Sequence, residues 1–242
     1  MRMMELNTQI RPHELRRSGL RRSWPAPFTS RAVWLLAGMI AFGTPYAAAM
    51  LNSSPEREQY SIRLRTARDA YFQVITSKDQ GADARAHEAL AEFERAYPGD
   101  PVGKAYHGSL ELLDAAHSWA VWNLHKQAAD GLSLLDEAVG QAPDEPEARF
   151  IRAATSWHLP GFYHRWVQCE ADFEVLAGQA EEDVRQGRLI PELGAATLNY
   201  WGQILVGRND LKDARTAFER AVRIAPQSPA GLDAGQRLAK IR

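Results

Sequence analysis

Residues 214–226 read ARTAFERAVRIAP and residues 89–101 read ALAEFERAYPGDP. Both contain Phe-Glu-Arg-Ala, both place Ala four residues before the Phe, and both place Pro eight residues after it. The pattern small-x3-large-x2-small-x4-Pro returns as Gly131, Leu135, Ala138 and Pro143, and in a shortened form without the proline as Cys169, Phe173 and Leu176. A small residue, a large one and a second small one at these spacings lie along one stripe of a helix. Proline then stops that helix, having no N–H to give to the next turn. One helix pair cannot bury such a stripe alone, so a chain that repeats the unit builds its core by stacking copies.

The last copy shows both halves. Ala214, Ala217, Phe218, Ala221, Val222 and Ile224 mark the buried stripe, Asn209-Asp210 offers a cap, and Asp213 favours the first turn. Upstream, LNYWGQILVG (198–207) predicts a second helix, with Gly207 placed to end it and Gly202 marking a close approach. Two antiparallel helices follow, small where they cross at Gly202 and Ala214, with Phe218 filling the gap beside them. The spacing Leu198-x2-Trp201-Gly202-x2-Leu205, then Ala214-x3-Phe218-x2-Ala221-x4-Pro226, resembles the tetratricopeptide repeat. Leu198 and Leu205 stand where that family carries large aromatics. The resemblance implies an all-α fold, a right-handed superhelix of antiparallel helix pairs.

Phe93, Leu135, Phe173 and Phe218 are separated by 42, 38 and 45 residues, against 34 in the ideal repeat. Extra length is therefore expected around 119–128, at the HLPGFYH turn (158–164) and at 177–194. First-half helices are expected at 101–118, which carries Gly108, and at 146–158, which carries Phe150, Ala153, Ala154 and Trp157. The domain reading is a basic segment with a signal peptide or uncleaved anchor at 1–49 and a linker with an opening helix at 50–69. Repeats follow over 70–228, and a capping helix over 229–242.

Charge divides the chain. Residues 1–49 hold seven Arg against two Glu, leaving 22 basic and 28 acidic residues in the remainder. An acidic body lacks the basic stripe that nucleic-acid backbones require. After Arg31 comes an uncharged stretch that lasts until Glu56, with an apolar run at 32–43, then Pro45 and Ala47-Ala48-Ala49. A positive segment, an apolar run and a small-residue site form a secretory signal, and cleavage after Ala49 is the favoured reading. Uncleaved, residues 32–51 are long enough to anchor the chain with the arginines in the cytoplasm. Either outcome places the body in the periplasm, free or anchored to the inner membrane.

No phosphate loop, nucleophile elbow or zinc-protease pattern occurs, so neither catalytic residues nor a cofactor are expected. His107, Glu111, Asp114 and His117 share a helical face and are the one metal-binding alternative, for a metal-dependent helical enzyme; the main reading of that face is a solvated or partly paired surface. Cys169 takes the small crossing position and reads as a buried, inert thiol. The cluster SWHLPGFYHRW suggests that Trp157 and Trp166 fill a wedge while Tyr163, His164 and Arg165 face water. The family binds peptides along its first helices, which implies Asn199 and Gln203, one turn apart and away from the packing stripe, as groove residues. Thr155 and His158 are their counterparts in the preceding repeat. With Tyr163 as a rival rim position, these residues describe a non-enzymatic scaffold for a protein or peptide partner. A membrane-anchored structural subunit is the alternative.

Overall fold

The computed structural model describes residues 55–77, 79–117 and 121–241, the side chains of 117 and 121–125 excepted. Among them every regular element is helical. They are α1 (Pro55–Thr76), α2 (Ala82–Ala96), α3 (Pro101–His117), α4 (Val121–Gln141), α5 (Pro146–His158), α6 (Trp166–Arg185), α7 (Pro191–Gly207), α8 (Leu211–Ile224) and α9 (Pro229–Leu238), with a 3-10 turn at Gly161–Tyr163. The signal or anchor reading of residues 1–49 and positions 119–120 of the expected extra length lie outside the described residues. No helix of the described residues is long and apolar enough to cross a membrane.

The helices pair as neighbours in sequence: α1 with α2, α3 with α4, α5 with α6, α7 with α8. Each pair's first helix also touches the first helix of the next pair, and α9 closes the row against α7 and α8. The four large residues of the repeated unit occupy equivalent places on α2, α4, α6 and α8. Phe93, Leu135, Phe173 and Phe218 are each at most 1% exposed.

The small residues do what their spacing requires. A Cβ on Gly202 would stand 2.5 Å from the Phe218 ring, and one on Gly108 would stand 2.6 Å from the Gly131 carbonyl oxygen. Both pairs therefore cross at glycine because nothing larger fits. Cys169 takes the same kind of place, fully buried, its thiol donating to the Ala153 carbonyl at 3.4 Å. Burial pushes that thiol's pKa far up, so it stays protonated and unreactive.

Proline has a second role. Pro55, Pro101, Pro146, Pro191 and Pro229 each open a first helix or the closing helix. That position has no intrahelical partner for an N–H, so the missing donor costs nothing there. Pro101, expected only as a stop, is thus the start of α3, and Asp100 caps it by accepting from Val102 and Gly103 at 2.9 and 3.0 Å. Asp210 caps α8 through the Asp213 N–H at 3.2 Å, as expected. Gly207, expected to end α7, is its last helical residue, and Asn209 beyond it takes the left-handed conformation with φ 62°. Asparagine tolerates that region because its short amide can bond locally. The opening helix α1 runs unbroken from Pro55 through position 70 and forms the first hairpin with α2.

Candidate functional site

The first helices carry polar side chains toward one another, and the structure spends most of them internally. Arg68 on α1 donates twice to Glu147 at the start of α5, at 2.8 and 2.6 Å, and Tyr106 on α3 donates to the same carboxylate at 2.8 Å. Arg68 and Glu147 are 8% and 2% exposed. A second chain of hydroxyls joins Tyr71 on α1, Ser109 on α3 and Thr155 on α5 through contacts of 2.6 and 2.7 Å. Burial pushes the Tyr71 phenol up to about 12, partly offset by hydrogen bonds from Ser109 and Thr155.

These contacts decide where the expected groove residues stand. Thr155 is bound into the hydroxyl chain. His158 meets the Tyr200 hydroxyl at 3.1 Å, and burial depresses its pKa to about 4, so it is neutral. Asn199, expected to face solvent, is 2% exposed and donates to Asp233 of α9 at 3.0 Å. Its Oδ1 has no hydrogen-bond partner among the described residues. The reason is the environment of α7, which α5, α6, α8 and α9 all touch. The side away from the Leu198/Leu205 stripe is covered as well. Gln203 is half-buried and bonds back to the Asn199 carbonyl at 3.3 Å. The four expected groove residues therefore do not form one continuous open face.

The inserted turn is different. Pro160 leads into the 3-10 turn, and His164 closes it with φ 54°. Trp157 and Trp166 pack beneath it, ring centroids 5.1 Å apart, and Trp157 continues onto Tyr200 and Phe173 at 5.2 and 6.4 Å. These are the wedge-filling tryptophans. Arg165, expected to face water, instead grips Asp136 of α4 with two hydrogen bonds of 2.9 and 2.5 Å. Those bonds help to hold Asp136 below the usual carboxylate range, although burial alone would raise it. Tyr163 is half-buried against the core, with the Phe162 ring at 4.5 Å. His164 faces water, as expected, and the apolar side chains left outward are Phe162, 66% exposed, and Val167, 75% exposed. Phe162 was legible as a member of the aromatic cluster, whereas Val167 was passed over; its signal was apolar character just after a left-handed turn.

The His107 face divides into two groups. His107 meets Glu94 of α2 at 3.0 Å and Glu111 at 3.6 Å. The Glu94 hydrogen bond raises the His107 pKa against the opposing effect of burial. Asp114 lies one turn further on and meets His87 of α2 at 2.8 Å. Burial raises the Asp114 pKa, and the charge of Asp83 adds to it. Asp83, His87 and Asp114 each bring one ligand atom within 4.8 Å of the others. The His117 side chain lies outside the described residues. Asp83 and His87 were legible only as an acid and an imidazole one turn apart on α2.

Neither a protein-family model, nor a curated protein, nor a solved structure matches this chain.

Proposed function

We propose that this chain is a non-enzymatic binding scaffold of tetratricopeptide-like hairpins, arranged as a right-handed superhelix, exported to the periplasmic side of a bacterial envelope. It would hold an apolar segment of a partner protein at the Pro160–Val167 turn. The carrying observation is the exposure of Phe162 and Val167 on a turn pinned from below by Trp157 and Trp166 and from the side by Arg165 on Asp136. An ordered aromatic that is already exposed loses little side-chain freedom on binding, and such residues dominate interfaces. The recurring hairpins, each with its large residue buried on the second helix, support the scaffold reading. The inner polar residues support it by default of a groove, since Thr155, His158 and Asn199 already have internal partners.

The test is affinity capture from envelope extract with the wild-type protein, then direct binding of the captured partner. Phe162→Ala should weaken that binding by about 2 kcal/mol and Tyr163→Ala by less. Gln203→Ala should leave it unchanged. Loss with Gln203→Ala and retention with Phe162→Ala would return the site to the first-helix face.

A further inference from the structure

We infer that Asp83, His87 and Asp114 form a binding site for a divalent transition-metal cation. Asp83 and His87 are one turn apart on α2, and Asp114 approaches from near the end of α3, which runs back along it. His87 Nε2 and Asp114 Oδ2 are 2.8 Å apart, and all three donors lie within 4.8 Å of one another. Donors about 2.1 Å from a common tetrahedral metal stand about 3.4 Å apart. The set thus needs the His87–Asp114 pair to open by about 0.6 Å and Asp83, which is exposed, to draw in toward it.

Two features separate this cluster from an ordinary acidic surface. The deeply buried carboxylates of Glu147 and Asp172 are neutralised by guanidinium, from Arg68 and Arg152, and Asp136 takes Arg165. Among the described residues no lysine or arginine pairs with Asp83 or Asp114, and the group facing Asp114 is an imidazole. Arg85, two residues from both ligands on α2, is turned away by a 2.6 Å pair with Asp79. The charge of two carboxylates then matches a divalent cation, with neutral His87 supplying one nitrogen. One imidazole beside two carboxylates selects Zn²⁺ and its first-row neighbours over Mg²⁺ and Ca²⁺, which prefer all-oxygen shells. Three protein ligands leave a coordination position for water or a partner's side chain. The site is independent of the partner-binding turn and stands or falls by itself.

Calorimetric titration of the full chain, stripped with a chelator, with ZnCl₂ tests this. One equivalent of Zn²⁺ should bind and raise the melting temperature, while MgCl₂ at the same concentration does neither. His87→Ala and Asp83→Asn should each weaken Zn²⁺ binding by about tenfold or more, and His107→Ala should not. Asp83 is exposed, so its variant reads the site even if His87→Ala disturbs the α2–α3 seam. Wild-type protein that binds no Zn²⁺, or Asp83→Asn and His87→Ala that both bind it as wild type does, would overturn the assignment.

Discussion

His158 shows how one side chain can carry a stability that depends on pH. Buried against Tyr200, it holds a pKa near 4 in the folded chain against an ordinary 6.5. The unfolded chain therefore binds the extra proton first as pH falls. His158 costs no stability above about 6.5, and each pH unit crossed between there and about 4 removes about 1.4 kcal/mol. Urea unfolding at pH 7 and pH 5 measures this directly. His158→Gln should flatten the difference attributable to the window, while carboxylates contribute equally to both proteins. An unchanged pH slope in the variant would mean that His158 is solvated. The same residue illustrates what spacing cannot reveal: it was expected in an open groove with Thr155 and Asn199. Their chemical type and helical position were legible, but their partners Tyr200, Ser109 and Asp233 lie 34 to 46 residues away in sequence. Nothing periodic announces such pairs.

At the scale of elements, the second helices were the most legible parts, because small-large-small spacing reports how closely two helices must approach. Gly202 under Phe218 and Gly108 against Gly131 are that report made geometric. α5 was legible to its ends, from Pro146 to His158, because a proline start and an aromatic series coincide there. The place of α1 was not legible. Its core contribution is short of aliphatic residues, with Leu64, Ala67, Tyr71 and Phe72 buried, and its tie to α5 is the Arg68–Glu147 pair, 79 residues apart. Removing one member of such a pair leaves a buried charge uncompensated. Arg68→Ala should therefore cost about 3–5 kcal/mol, read from the urea midpoint of the purified protein. A loss under about 1 kcal/mol would mean that water reaches Glu147 and that α1 is not seated on α5. Circular dichroism of the variant then distinguishes a detached α1 from general unfolding, since only the former keeps most of the helical signal.

Over the whole molecule, the opening prolines reveal a longer period than the large residues do. Pro55, Pro101, Pro146 and Pro191 are separated by 46, 45 and 45 residues, so each hairpin exceeds the 34-residue ideal. The excess is in helix length: α1, α4 and α6 have 22, 21 and 20 residues. Long helices place turns such as 158–164 at the hairpin ends, which is where the partner site is proposed. The proposal of export belongs to this scale too, because it rests on how charge is divided between the ends. Residues 1–49 are basic and the body is acidic, with an uncharged stretch between Arg31 and Glu56. A basic segment resists translocation while an apolar run partitions into the bilayer, so the body would be carried across. Alkaline phosphatase joined after Pro55 becomes active only where its disulfides form. The fusion should therefore be active, and replacing Leu35 and Leu36 with Arg should silence it by interrupting the apolar run. N-terminal sequencing of the exported protein then separates the two modes of export. A chain beginning at Met50 is a free periplasmic scaffold, and one that keeps its arginines is anchored. An inactive fusion that is nonetheless present at full length would return the body to the cytoplasm.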